Sequence, residues 1–153
     1  MKGRPKVAIG IIILNEEGNK LLLGFNNREN CWQLPGGDLK YSEDFTECAL
    51  RELSNKLNLA IEQERLNNFI SFNVVDRVRN FHCIEIDFLL QITMIEQQNI
   101  RNSAKVDYDW WVWFEYKEIL EVKAELAAAT EVLFKKFSIS SIDNIKNLFG
   151  KLV

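Results

Sequence analysis

Residues 32–59 read Trp32-Gln33-Leu34-Pro35-Gly36-Gly37-Asp38-Leu39-Lys40-Tyr41-Ser42-Glu43-Asp44-Phe45-Thr46-Glu47-Cys48-Ala49-Leu50-Arg51-Glu52-Leu53-Ser54-Asn55-Lys56-Leu57-Asn58-Leu59. Pro35 biases Leu34 away from helical backbone, and the two glycines that follow permit a tight loop through which a ligand can approach the main chain. A helix is expected just beyond it. Ser42 is a good N-cap, Glu43 and Asp44 suit the positive end of the helix dipole, and Ala49, Leu50, Leu53 and Leu57 make one apolar face. Asn58 tolerates the left-handed conformation that ends a helix. Glu52, Asn55 and Lys56 fall at i, i+3 and i+4, so they project together toward whatever lies beside the glycine loop.

Working outward, Val7-Ala8-Ile9-Gly10-Ile11-Ile12-Ile13-Leu14 is a β-branched run without helical periodicity, stopped by the turn-forming Asn15-Glu16-Glu17-Gly18-Asn19. Leu21-Leu22-Leu23-Gly24 reads as its returning strand, and Trp32-Gln33-Leu34 as a short extended piece. Residues 69–75 and 81–93 read as two strands joined by a polar turn over 76–80. In the second, His82, Ile84, Ile86, Phe88 and Leu90 share one face and leave Glu85 and Asp87 together on the other. Residues 110–114 are a further aromatic strand. From about Glu118 the period turns helical, with Leu120, Leu126, Ala127, Val132, Leu133 and Phe137 able to cover a sheet. Ser140-Ser141 break that helix before a last amphipathic segment over 142–153. Strands on both sides of a helix, then terminal helices, describe one α/β (α+β) layered domain. Its main body is expected over 1–138, with 139–153 a short helical extension of the same domain.

Composition narrows the function. With 153 residues, 47% hydrophobic and 27% charged, one packed domain is expected and wholesale disorder is not. A net charge of −3 gives no global pull toward a nucleic-acid polymer or an anionic membrane, and the apolar run over 7–14 is too short to span a bilayer. An intracellular, cytoplasmic address is the expectation. Cys31, Cys48 and Cys83 have no paired spacing for zinc or disulfides and read as reduced thiols, with Cys48 packing on the helix.

Gly37, Glu43 and Arg51-Glu52-Leu53 stand in the register of the Nudix box, and the chain resembles the MutT-like branch of the Nudix hydrolase superfamily. Trp32-Gln33-Leu34-Pro35-Gly36-Gly37, Cys48-Ala49-Leu50-Arg51-Glu52, Asn80-Phe81-His82 and Trp111-Val112 carry the likeness over roughly residues 4–120. The resemblance implies an α/β/α sandwich with a mixed β-sheet and the Nudix loop and helix. It also implies catalytic roles for Glu52, Arg51 and Glu43, with Arg51 holding loop to helix. Gln33, Gly36, Gly37 and Lys56 become candidates for substrate binding, and Glu52 the candidate metal ligand. The box then departs from its pattern: Asn55, Lys56 and Asn58 stand where the family has Glu, Glu and Gly. Relatives also often place a basic residue after a strand ending in Leu-Leu-Gly, where this chain has Phe25-Asn26-Asn27 and reaches its first cation at Arg28.

Diphosphate cleavage uses Mg²⁺ gathered by several carboxylates, and here the three helical positions carry no net charge where the family carries three negative ones. Lys56 follows Glu52 in the favourable i, i+4 order, so a tethered ammonium can lie where a metal would. The expectation is a Nudix-fold protein with impaired or lost metal-dependent hydrolysis that binds a nucleotide, another diphosphate, a protein partner or a second copy of itself. The alternative is an active Mg²⁺-dependent nucleoside di- or triphosphate pyrophosphohydrolase with a rearranged metal site. Mg²⁺ is the cofactor if hydrolysis operates, and none is needed otherwise. Glu85 and Asp87 are expected to form a solvated acidic face, becoming metal ligands only if the fold turns them inward. His82 is expected to be packed and hydrogen-bonded. The tryptophans at 110, 111 and 113 belong to the core first and to base stacking second.

Overall fold

The computed structural model describes residues 3–100 and 110–150. Strand β1 (Lys6–Leu14) organises the rest. Ile9, Ile11 and Ile13 point to one side of it and Ile12 and Leu14 to the other, each at most 2% exposed. That two-sided burial is why the segment reads as a continuous apolar run. β2 (Leu21–Asn26) returns antiparallel to it, and β6 (Phe81–Gln91) runs parallel to it along its whole length. β3 (Cys31–Gln33) and β5 (Phe69–Asp76) complete the order β3-β2-β1-β6-β5 of a mixed sheet. β4 (Gly36–Asp38) pairs with β1, and β7 (Trp110–Phe114) with β2.

Helices cover both faces. On one, α1 (Phe45–Leu57) packs Cys48, Ala49, Leu53 and Leu57 against Ile9, Ile11, Ile13, Ile86, Phe88 and Leu90. On the other, α3 (Tyr116–Glu121), α4 (Ala128–Lys136) and α5 (Ile142–Gly150) supply Ile119, Leu133, Ile142, Ile145 and Phe149 to a core with Ile12, Leu14, Ile70, Phe72 and Val74. The layers are therefore α/β/α, as the resemblance implies. Ile142, Ile145 and Phe149 are all at most 7% exposed, so the terminal stripe docks on the sheet through these residues; Leu152 lies outside the described residues.

Several local expectations need correction. The segment after Pro35 is extended ladder as well as loop, because β4 pairs Gly36 with Gly10, Gly37 with Ile9 and Asp38 with Ala8. The N-cap of α1 is Asp44, which accepts the Glu47 amide at 2.8 Å. Ser42 cannot take that place: its φ of +64° puts it in the left-handed region, whereas an N-cap needs extended backbone. Asn58 does end the helix in left-handed geometry. The second long strand stops at Gln91, and Thr93 caps a short α2 (Met94–Asn99) through a reciprocal pair with Glu96. The helical stretch after 118 is broken into α3, a 3-10 turn and α4, leaving Leu120 half exposed. Ser141 accepts the Asn144 amide at the start of α5, so the Ser-Ser break is a cap.

Candidate functional site

Gly36 sits at φ +152°, and a Cβ there would lie 1.9 Å from the Ile9 carbonyl oxygen. Its bare Cα lets the motif segment press against β1 and presents its carbonyl toward α1. Gly37 lacks a side chain for a different reason: the space a Cβ would fill belongs to the Glu52 carboxylate, 2.4 Å from that position. Two adjacent glycines thus bring main chain and the α1 carboxylate together.

Arg51 fastens this arrangement. Its Nε and Nη2 donate to the two Glu43 oxygens at 2.7 and 3.0 Å, Nη1 donates to Glu52 Oε1 at 2.6 Å, and Nη2 reaches the Asp38 carbonyl at 3.1 Å. Glu43 also accepts the Lys40 amide at 3.0 Å. The Arg51 hydrogen bonds hold the Glu43 carboxyl far below the usual range, at about 2. That depressed value stabilises the fold above the ordinary carboxylate range, and the contribution is lost as pH falls toward 2. Glu52, Arg51 and Glu43 are therefore assembled as one cluster, and Gly36 and Gly37 border it.

Lys56 completes the cluster from one turn further along α1. Its Nζ lies 2.5 Å from the Gly36 carbonyl oxygen and 3.1 Å from Glu52 Oε2. Glu52 is 7% exposed, so both its oxygens meet cations inside the protein, Arg51 on one and Lys56 on the other. A divalent cation at this helix would need the Gly36 carbonyl or Glu52 Oε2 with further carboxylates. Here an ammonium holds the first two, Asn55 offers at most a neutral amide oxygen, and no group of three His, Cys, Asp or Glu among the described residues is arranged to hold a metal. The donor set does not fit Mg²⁺.

The remaining candidates are placed elsewhere. Gln33 lies on β3 opposite Gly24, outside the Arg51 network. Asn26, in the segment that follows Gly24, accepts the Arg28 and Glu29 amides on its side-chain oxygen and shapes the β2–β3 turn. His82 is exposed, which corrects its expected packing: near the open start of β6, its face is not covered by α1. Trp111 is buried on the α1 side, while Trp110 is 40% exposed and stacks on Phe25 at 5.0 Å. Burial pushes the Cys48 thiol up to about 12, so it stays protonated packing material.

Glu85 and Asp87 overturn the expectation of a solvated acidic face. They are 6% and 0% exposed, on the sheet face opposite α1, and when Glu85 carries the pair's proton its carboxyl donates to Asp87, whose oxygens have no other hydrogen-bond donor among the described residues. Gly10 is what makes room: a Cβ there would lie 2.3 Å from Asp87 Oδ1 and 2.8 Å from Glu85 Oε1. An isolated glycine inside a β-branched strand is the sequence signal that could have revealed this. Burial raises the Asp87 carboxyl to about 6, and burial with the Asp87 charge raises Glu85 well above its ordinary value. Cys83 and Asp38 are the other titratable groups acting on the pair. Because the folded protein holds this proton more tightly than the unfolded chain, stability is expected to fall as pH rises from about 4 through the raised values. Asp87→Asn should flatten that slope and gain on the order of 2 kcal/mol at neutral pH. Urea unfolding at about pH 5 and pH 7.5 checks it; an unchanged slope in the variant would place the buried proton elsewhere.

Comparison with known proteins agrees with this geometry. The NUDIX domain model matches residues 4–137, and the chain belongs to the Nudix family. An RNA pyrophosphohydrolase of Ruthia magnifica subsp. Calyptogena magnifica is 24% identical over 126 residues, covering 74% of this chain and 69% of that protein. The crystal structure of a MutT protein from Methanosarcina mazei Go1 superposes with TM-score 0.69 at 18% identity, covering 90% of this chain and 96% of that one. A MutT/nudix family protein from Enterococcus faecalis superposes with TM-score 0.59 at 24% identity; it covers 75% of this chain, which spans only 45% of its length.

Proposed function

We propose that this chain is a Nudix-fold domain that binds a nucleotide or related diphosphate without hydrolysing it through a metal. The observation that supports the reading is the Lys56 ammonium between the Gly36 carbonyl and Glu52, where it supplies one positive charge to the carboxylate a metal would need. Glu52 with both oxygens paired is poorly suited to gather Mg²⁺ or to accept a proton from water. Gly36 and Gly37 still bring backbone close to the cluster, the feature a diphosphate would use, and Arg51 keeps the loop on the helix. The relative named an RNA pyrophosphohydrolase favours the competing hydrolase reading through its name, and the donor set weighs against it.

Turnover of a nucleoside di- and triphosphate panel with Mg²⁺ or Mn²⁺ tests the proposal. The wild type is expected to release no more phosphate or pyrophosphate than Glu52→Gln, while equilibrium dialysis with the same nucleotides in EDTA detects binding. Wild-type turnover that Glu52→Gln abolishes would sink the reading and require another ligand to complete the metal site.

A further inference from the structure

β5 ends the strand order, with β6 along one side and no strand among the described residues along the other. It pairs with β6 residue for residue, from Phe69↔Phe88 to Asp76↔Phe81, so no bulge turns its outer edge away. Residues 69–75 read Phe-Ile-Ser-Phe-Asn-Val-Val, without a charge or a proline. Bulges, charges and prolines are the devices that protect a sheet edge, because its outward N–H and C=O groups are a template for another strand. This edge has none of the three. Among the described residues, no backbone group of residues 69–75 makes a hydrogen bond outside the sheet.

The side chains along the edge suit one kind of partner. Alternation turns Phe69, Ser71, Asn73 and Val75 to the α1 side of the sheet, and all four are exposed, Phe69 at 42% and Val75 at 46%. Ile84, opposite Asn73 on β6, widens this strip and is also exposed. Charge changes sign along the strand: Glu62 and Glu64 are exposed ahead of it, Arg77 and Arg79 behind it. Such a polarity complements itself only when the second strand runs antiparallel, as a two-fold axis demands. We propose that β5 is the interface of a symmetric dimer, in which β5 of a second copy adds antiparallel to this edge and the two sheets become one. The register follows from the pattern. With the axis at Phe72, Phe69 lies across from the partner's Val75 and Ser71 from the partner's Asn73, so apolar meets apolar and polar meets polar. An axis at Ser71 or Asn73 would instead set Phe69 against the partner's Asn73 or the partner's Arg77. Pairing at β5 goes beyond nucleotide binding and does not depend on it.

Sedimentation velocity on the full chain between about 1 and 200 μM, a range that brackets a dissociation constant on the order of 10 μM for so small a contact, tests the proposal. The wild type is expected to pass from one chain to two across that range. Ser71→Lys with Asn73→Lys alters two exposed positions and sets lysine against lysine twice across the axis, which should weaken the dimer by about tenfold or more. Ser71→Glu with Asn73→Lys sets opposite charges together at the same two contacts and should associate at least as tightly as wild type. Melting temperatures taken at the lowest concentration separate loss of fold from loss of association. A wild type that stays a single chain throughout would overturn the proposal and leave the edge to a strand of a different protein. So would a dimer that the lysine pair leaves intact, or one that both double variants weaken equally, since neither would be held by this edge in this register.

Discussion

Replacing Asn55 and Lys56 together by glutamate is expected to raise the affinity for Mg²⁺ by on the order of 100-fold, from no detectable binding to a site occupied at millimolar cation. Lys56→Glu removes the ammonium from the Gly36 carbonyl and from Glu52 Oε2, freeing two oxygens that now stand 2.5 and 3.1 Å from its nitrogen. It puts a third oxygen ligand on the same helical face, and Asn55→Glu adds a fourth. Without cation the three carboxylates repel one another, so the double variant should melt below wild type in EDTA. With Mg²⁺ at about 100 times its dissociation constant it should regain close to 3 kcal/mol, seen as a rise in melting temperature that wild type does not show. Nucleotide turnover should appear in the same variant if the scaffold still positions a diphosphate. A wild type stabilised by Mg²⁺ as strongly as the double variant would mean that Lys56 moves aside for the metal, and the proposed loss of metal chemistry would be wrong.

Gly36→Ala is expected to cost at least about 3 kcal/mol, near 10 °C of melting temperature for a chain of this size. The added methyl would meet the Ile9 carbonyl oxygen at 1.9 Å and Gly10 Cα at 3.0 Å, both backbone atoms of the central strand, and φ +152° is unfavourable for alanine in any case. Nothing there can swing away. Gly37→Ala is the informative control, since its methyl would meet the Glu52 carboxylate, a side chain that can turn. That variant should lose less stability, roughly 1 to 2 kcal/mol, because moving Glu52 breaks the Arg51 contact at 2.6 Å and the Lys56 contact at 3.1 Å. Equal losses in the two variants, measured by thermal and urea unfolding, would show that the glycines matter only for chain flexibility.

How much of this was legible in the sequence depends on which atoms carried the information. The apolar run of β1, the strand pair β5 and β6, the helix over the motif and its asparagine terminus follow from side-chain pattern and backbone preference, and the structure has them. The Nudix register placed Arg51, Glu52 and Glu43 on one helix and loop. What the pattern could not show was where backbone groups point: the Asp38 and Gly36 carbonyls that receive Arg51 and Lys56 have no sequence signature. Ser42 misled because cap propensity ignores the backbone conformation imposed by the preceding turn. Glu85 and Asp87 misled more deeply, since acidic residues on alternate strand positions ordinarily face water. Both are buried on the face opposite α1, and Gly10, the glycine that makes room for them, sits on a neighbouring strand.

The ammonium of Lys56 is bound by the same helix that offers its carboxylate, four residues apart. A bound metal leaves and returns with the composition of the surrounding fluid, and so does every property it confers. A counter-ion attached by covalent bonds has a local concentration fixed by the length of its side chain, and dilution, chelators or a fall in free cation leave it where it is. On the proposed reading, the loop and helix of this protein keep their counter-ion whatever the cation supply that would govern a metal-filled site.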